Sequence, residues 1–375
     1  MEKINIYLWF VAPSPHMSPF LNALHESPLF NIKVFYAHGF SKSRRDTGYE
    51  SNQREVFSIF LPDHGWKQVI KKELNEFDGV NIFGAIAAYK KVNYALRYSL
   101  KKKKRCFVIT ETYKSNKTFG IFDLNFLRWI KYRIDFLLYA RKISGLLPIG
   151  KQAEKDFLTL GYKKKKMFDY IYFVSPDFIN HNADDFLPTI PMKIVYVGRL
   201  VHLKGVDLLI KAIGGMQDKD KIRLDIIADA KNGDEYKNLA QSNNVSHLIN
   251  WRGLLSENIV LDELCKYDVL ILPSRYDGWG CVVNEALLTG LPVIVSTAAG
   301  ASDLVQISSA GIVFESESVC ALQNAIQKML DESFRRECRI NARKFRDKII
   351  PGNCTEYFYS ILSEEIPIEA PWSRQ

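Results

Sequence analysis

Two segments of this chain carry residue types that can handle a charged, hydroxyl-rich ligand. The first is Gly198-Arg199-Leu200-Val201-His202-Leu203-Lys204-Gly205, set between a strand-like apolar run and a helical one. Gly198 and Gly205 let the backbone turn sharply and let a ligand come close. Arg199 and Lys204 put two cations at the carboxyl end of a strand and beside a helix N-terminus, a combination that suits phosphate or diphosphate. A turn with solvated charges accounts for the same residues equally well.

The second segment runs from Pro273 to Leu287 and follows another short apolar strand. Gly278 and Gly280 flank Trp279, so the loop can pass tightly before the next helix. The backbone N–H groups of Gly280, Cys281 and Val282 are expected to open that helix and can face an anion or a sugar hydroxyl. Asp277 lies in the loop and Glu285 in the first turns of the helix. A carboxylate at Glu285 can accept two hydrogen bonds from a vicinal diol such as a ribose. An acidic residue that merely stabilises a helix N-terminus explains Glu285, but not the Gly-Trp-Gly loop.

Positioning such loops requires alternating strands and helices. Residues 4–11, 32–36, 80–83, 106–110 and 145–149 read as short buried strands, with helices at 18–24 and 124–142 and a long polar loop over 41–55. A second series has strands at 193–197, 223–228, 247–250, 269–272 and 292–295, with helices at 206–213, 234–243, 258–266 and 282–288. This alternation implies parallel sheets covered on both faces. Two series imply two doubly wound domains, with a proline-containing linker over 175–191. Ligands in such sheets bind outside the carboxyl ends of the strands, so the expected site is a cleft between the domains.

The bulk composition agrees. A chain of 375 residues with 47% hydrophobic and 25% charged residues is ordinary for a globular protein and excludes disorder or a disulfide-stapled miniprotein. No apolar run approaches the ~18 residues that would suggest a membrane span. The six cysteines form no Cys-x-x-Cys pair and suit reduced thiols in a cytoplasmic protein. The seven histidines show no ligand spacing, and Asp218-Lys219-Asp220 falls at the wrong end of a sheet for a catalytic cation, so no metal site is expected. The first residues carry Asn5 and run into Pro13-Ser14-Pro15, which favours a buried strand over a signal peptide.

The two loop segments together resemble the retaining glycosyltransferases of family 4. That family has a Gly-Arg-Leu…Lys-Gly segment, then an acidic-x7-Glu segment ending near Gly-Leu-Pro-Val-Ile. Here these are Gly198-Arg199-Leu200, Lys204-Gly205, Asp277…Glu285 and Gly290-Leu291-Pro292-Val293-Ile294. The resemblance covers roughly residues 145–345. It implies the GT-B fold: two Rossmann-like α/β domains facing across a cleft. Residues 1–180 would be an acceptor-binding domain completed by residues 355–375, and residues 190–350 a donor-binding domain.

The resemblance also implies roles. Arg199 and Lys204 would neutralise a nucleotide-sugar diphosphate and its growing negative charge, without a metal or other cofactor. Glu285 would hold ribose hydroxyls. Asp277 stands where the family usually has Glu, near the transferred sugar. Gly198, Gly278, Trp279, Gly280, Cys281 and Val282 would line the donor, and Arg252 and Leu254 would lie near its base. The family's glycine-rich first loop is replaced by residues 12–18, from which His16 could touch the acceptor or a phosphate, or serve only as a turn residue. A family histidine after a middle strand is replaced by Glu111, which could bind sugar hydroxyls or act as acceptor base.

Charge is unevenly spread. Residues 1–180 hold 30 Lys+Arg and 16 Asp+Glu, a balance of +14; the remainder holds 21 and 26, a balance of −5. Basic runs at 101–105 and 163–166 are joined by Lys90, Lys91, Lys114, Lys117, Arg128, Lys131, Arg133, Arg141 and Lys142, with aromatics between them. There is no recognised nucleic-acid module. The expected partners are a nucleotide sugar, a polyprenyl-diphosphate-linked saccharide acceptor and the anionic cytoplasmic face of the inner membrane. The expected function is sugar transfer in surface polysaccharide assembly, of O-antigen or capsule type. The alternatives are a GT-B epimerase or phosphorylase, a silent nucleotide-sugar-binding subunit, and a basic nucleic-acid-binding protein.

Overall fold

The structure is a computed structural model that describes residues 2–39, 57–84, 89–114, 118–119, 122–176, 190–229, 233–363 and 366–373. The polar loop expected over 41–55 lies outside these residues, as does most of the expected linker. The chain divides into two units, residues 1–174 with 351–371 and residues 175–350 with 372–375.

In unit 1, strands β1 (Ile4–Phe10), β2 (Phe30–Tyr36), β3 (Ser58–Phe60), β4 (Val80–Gly84) and β5 (Arg105–Thr110) alternate with helices α1 (Ser18–Glu26), α2 (Trp66–Glu76) and α3 (Lys90–Lys101). A two-stranded antiparallel pair, β6 (Thr118–Phe119) and β7 (Phe122–Asp123), leads into α4 (Leu124–Tyr139). Strand β8 (Gly145–Pro148) and α5 (Gly150–Thr159) follow. The main sheet is parallel, in the order β3-β2-β1-β4-β5-β8.

Central strands such as Val80-Asn81-Ile82-Phe83 are buried on both faces, which is why they read as continuous apolar runs rather than alternating ones. The polar residue of this strand, Asn81, is partnered through its side-chain oxygen, which accepts from the buried indole N–H of Trp9 at 3.0 Å. Residues 351–371 join this unit through the helix Thr355–Leu362. Its Phe358 packs edge-on against Phe20, and Tyr357 and Tyr359 donate to the carbonyls of Asp169 and Glu2 at 2.8 and 3.0 Å. Burying Phe358 contributes ~2 kcal/mol.

Unit 2 repeats the plan. Strands β9 (Met192–Val197), β10 (Ile222–Ile227), β11 (Ile249–Gly253), β12 (Val269–Leu272), β13 (Val293–Ser296) and β14 (Gly311–Phe314) are parallel, in the order β11-β10-β9-β12-β13-β14. Both sheets thus have a doubly wound order, with one topological switch point between β1 and β4 and another between β9 and β12. A helix over Glu332–Arg346 closes unit 2. Asp331 caps it by accepting from the N–H groups of Ser333 and Phe334, and three basic residues occupy its last turn.

The two Rossmann-like sheets are those the strand–helix alternation predicts. One placement is corrected. Residues 246–248 form a 3-10 turn whose Leu248 fills the core, and the strand expected over 247–250 runs instead from Ile249 to Gly253. A register shift between Ile226 and Ile227 carries the pairing on to Gly253, so Arg252 lies within the strand rather than after it. Edge strands β3 and β14 were not among the expected strands, although each lies in a short apolar run, Ile59-Phe60-Leu61 and Ile312-Val313-Phe314.

Candidate functional site

At the switch point of unit 2, β9 and β12 pair directly, Val269 with Ile194 and Leu270 with Val195. The loops that leave their carboxyl ends are therefore neighbours. They are the two segments singled out from their chemistry.

Leaving β9, Gly198 has φ +155° and Gly205 has φ +68°. A Cβ at Gly205 would stand 2.0 Å from the Pro273 carbonyl oxygen, so only glycine lets the two loops touch. Between them, residues 202–204 make one 3-10 turn that carries Lys204 across to the second loop. Its ammonium bonds to the Asp277 carboxylate, with 18% of the Lys204 side chain and 15% of the Asp277 side chain exposed. The pair is largely desolvated yet reachable from solvent. Arg199 is exposed, and its carbonyl accepts from the buried Tyr196 hydroxyl at 2.9 Å. Burial, then the charge of Asp277, raises the Tyr196 pKa, so the phenol stays a neutral donor.

The Asp277 loop is held from both sides. On one, the N–H groups of Arg275 and Tyr276 donate to the Leu203 carbonyl at 2.8 and 3.3 Å. The Arg275 guanidinium grips the Asp207 carboxylate with two bonds of 2.7 Å and also donates to the His202 carbonyl. Burial opposes ionisation of Asp207, but the hydrogen bonds and charge of Arg275 outweigh it and hold that carboxyl below its usual range. On the other side, the N–H of Asp277 donates to Ala298, Gly300 donates to Asp277, and Ala301 donates to Trp279. A Cβ at Gly300 would meet the Gly278 carbonyl at 2.5 Å. Trp279 is buried, its indole N–H on the Asn284 side chain at 2.8 Å. Trp279 is thus a structural wedge under the loop rather than an exposed platform.

Gly280, with φ +96°, turns the chain into the helix Val282–Leu288, whose N-cap is Cys281. An ideal Cβ at Gly280 would lie 3.6 Å from Asp277 Oδ2, so the turn passes under the carboxylate. Glu285 sits in the first turn of this helix and is 8% exposed.

Arg252 stands apart from this centre on β11, an edge strand of the sheet, and Leu254 follows that strand. Arg252 donates to Asp225 at 3.0 Å, to Glu263 at 3.2 Å and to the Tyr267 hydroxyl at 3.2 Å. Leu254 is 53% exposed just beyond Gly253.

Unit 1 brings together its own two candidates through a residue the sequence did not single out. Glu111, at the carboxyl end of β5, accepts from the Tyr172 hydroxyl at 2.6 Å. His16, in the loop after β1, has its ring 6.1 Å from the ring of Tyr172, and its carbonyl accepts from the Phe173 N–H. Tyr172 lies in an apolar stretch with no motif around it. Arg275 and Gly300, which hold the Asp277 loop, were likewise silent in sequence: each works through a partner distant in the chain, Arg275 on the Asp207 carboxylate and Gly300 against the Gly278 carbonyl.

Doubly wound sheets of this kind bind ligands beyond the carboxyl ends of their strands at the switch point, where the Lys204–Asp277 pair lies. Residues 179–345 match the family model described as "Glycosyl transferases group 1". An uncharacterized glycosyltransferase of Methanocaldococcus jannaschii is 30% identical over 161 residues, 43% of this chain and 44% of that protein. The chain spans about two fifths of the length of the curated relatives it matches. Among solved structures, Anabaena HepE in complex with UDP superposes with TM-score 0.70 at 14% identity, covering 95% of this chain and all of that one. The lipopolysaccharide outer core galactosyltransferase WaaB superposes with TM-score 0.70 at 14% identity, covering 96% and 99%. These likenesses establish the fold as that of GT-B glycosyltransferases.

Proposed function

We propose that this chain is a retaining, metal-independent glycosyltransferase. It moves a sugar, a hexose by preference, from a nucleotide-diphosphate donor held by unit 2 to a saccharide acceptor held by unit 1. The observation that carries this reading is the Lys204–Asp277 pair at the unit 2 switch point, inside the stretch that matches the glycosyl transferase family model. The UDP bound by Anabaena HepE, a protein of the same fold, supports the choice of donor.

The chemistry follows from charge. As the sugar leaves, negative charge grows on the diphosphate, and fixed cations in a partly desolvated site stabilise it strongly. Arg199 is exposed at the loop tip, and Lys204 exchanges its carboxylate partner for phosphate as the donor binds. Asp277 is thereby released toward the positive charge that develops on the sugar. Glu285 holds the ribose diol. In unit 1, Glu111 orients or deprotonates the acceptor hydroxyl, with His16 beside it. No organic cofactor is needed.

The acceptor is a lipid-linked saccharide, and the work is surface polysaccharide assembly at the cytoplasmic face of a membrane. The likeness in fold to WaaB, a lipopolysaccharide outer core galactosyltransferase, supports that choice. A thermal-shift panel of nucleotide sugars tests the donor, since a ligand that binds only the folded state raises apparent stability. The anomeric configuration of the transferred sugar tests retention. A shift by no nucleotide sugar, or a modified sugar nucleotide formed without any acceptor, would count against transfer.

A further inference from the structure

Helix α4 is apolar on two opposite faces. Inward, Tyr132 and Phe136 meet Phe157 and Tyr162, and Asp135 is buried. Outward, Phe126, Leu127, Ile130, Ile134, Leu137 and Leu138 are all exposed, from 37% to 66%. At 100° and 1.5 Å per residue these six fall within an arc of about 120° along about 18 Å of helix. Trp129, beside them, is 38% exposed and stacks on Phe126. Scattered exposed apolar residues are normal, but a continuous stripe marks a surface that something covers.

The charge around this stripe says what covers it. Asp135 is the sole carboxylate of residues 126–142, and it faces the core. At the C-terminal end of the helix the parallel sheet gathers three basic runs that are far apart in sequence. Phe107 pairs with Gly145, and Leu146 bridges to Met167. Residues 101–103, 141–142 and 163–165, which precede those positions, therefore share the amino end of the sheet, and all are exposed lysines or arginines. The Lys166 ammonium donates to the Ile143 carbonyl at 2.7 Å, which ties the third run to the end of the helix.

A second copy of this chain would bring its own surplus of positive charge to the contact. Nucleic acid would answer the lysines but leave the apolar stripe in water. An anionic bilayer answers both, because headgroup phosphates meet the basic end while the stripe enters the acyl boundary. Among the described residues no helix is long and apolar enough to cross a membrane, so the contact is one of lying flat.

We infer that α4, with the three basic runs at its C-terminal end, docks parallel to an anionic membrane surface. This rests on, and sharpens, the reading that the chain works at a membrane face. The test is co-sedimentation of the full chain with vesicles of phosphatidylcholine, with and without phosphatidylglycerol. The expected result is binding that needs the anionic lipid and weakens with salt. Ile134→Asp with Leu138→Asp should weaken binding about tenfold or more. Arg141→Glu with Lys142→Glu should weaken it and flatten its salt dependence. An unchanged thermal midpoint shows that the variants are folded.

Wild-type binding that survives the α4 substitutions would overturn the role of this helix while leaving a membrane-bound enzyme. Absence of binding by the wild type would remove both. A dimer in sedimentation velocity that the same substitutions dissolve would assign the stripe to a second copy and overturn the inference. Sugar transfer is measured separately on a soluble acceptor, so its failure cannot be mistaken for failure of docking.

Discussion

Lys204 and Asp277 are 73 positions apart in the chain and form one ion pair at the switch point of unit 2. Two glycines make the meeting possible. Gly205 lets the first loop press against Pro273, and Gly280 turns the second under the carboxylate. The pair is largely buried, so the cost of desolvating both charges offsets much of their attraction and its net contribution to stability is small. Its value is electrostatic, as a cation held ready where a diphosphate would arrive.

That separation of stability from activity is measurable. Lys204→Ala should lower kcat/KM at least ~100-fold, and the thermal midpoint of Lys204→Ala combined with Asp277→Asn should move by only a degree or two, because no buried charge is then left unpaired. Glu285→Ala should also abolish transfer. Asp277→Asn should cost turnover more than donor affinity. Normal kinetics in the Lys204 and Glu285 variants would remove the assignment.

Gly205→Ala should behave in the opposite way. The new Cβ would sit 2.0 Å from the Pro273 carbonyl at a left-handed backbone position, so the two loops must part. Urea denaturation should show a loss of about 3 kcal/mol, and donor binding should weaken with it. A variant as stable as the wild type would show that the loops can separate without cost.

Asp207 gives a pH signature. Its carboxyl is held below its ordinary value of 3.8 in the folded state, burial being outweighed by Arg275. A depressed carboxylate stabilises the fold above its unfolded pKa, and that stabilisation is lost as pH falls through the folded value. The gap in thermal midpoint between wild type and Asp207→Asn should therefore be constant near neutrality and shrink below about pH 4. A gap that instead widens in acid would refute the ion-pair account.

Tyr172→Phe removes the hydroxyl that donates to Glu111 at 2.6 Å and leaves the ring beside His16. If Tyr172 positions Glu111 for the acceptor, acceptor KM should rise about 5–10-fold with donor affinity unchanged. An equal change in donor affinity would make the effect a general loss of folding.

Much of the fold was legible because buried parallel strands are short apolar runs, as in Val269-Leu270-Ile271-Leu272. Their order in the sheet was not, and β3 and β14 were missed because runs of three apolar residues are too short to tell a strand from a loop or a helix end. Lys204, Asp277 and Glu285 stood out by type and spacing. Arg252 stood out too, but the fold commits its guanidinium to Asp225, Glu263 and Tyr267.

Residue types and local periodicity, which are properties of neighbours along the chain, were enough to determine two α/β domains, a pair of candidate loops and a basic first half. Tertiary structure alone decided which loops meet. It placed Lys204 on Asp277, Tyr172 on Glu111 and Arg275 on Asp207, because strand order sets which carboxyl ends are adjacent. It also decided that one face of α4 stays uncovered. Periodicity shows that a helix has two apolar sides, but only packing shows which of them has found a partner.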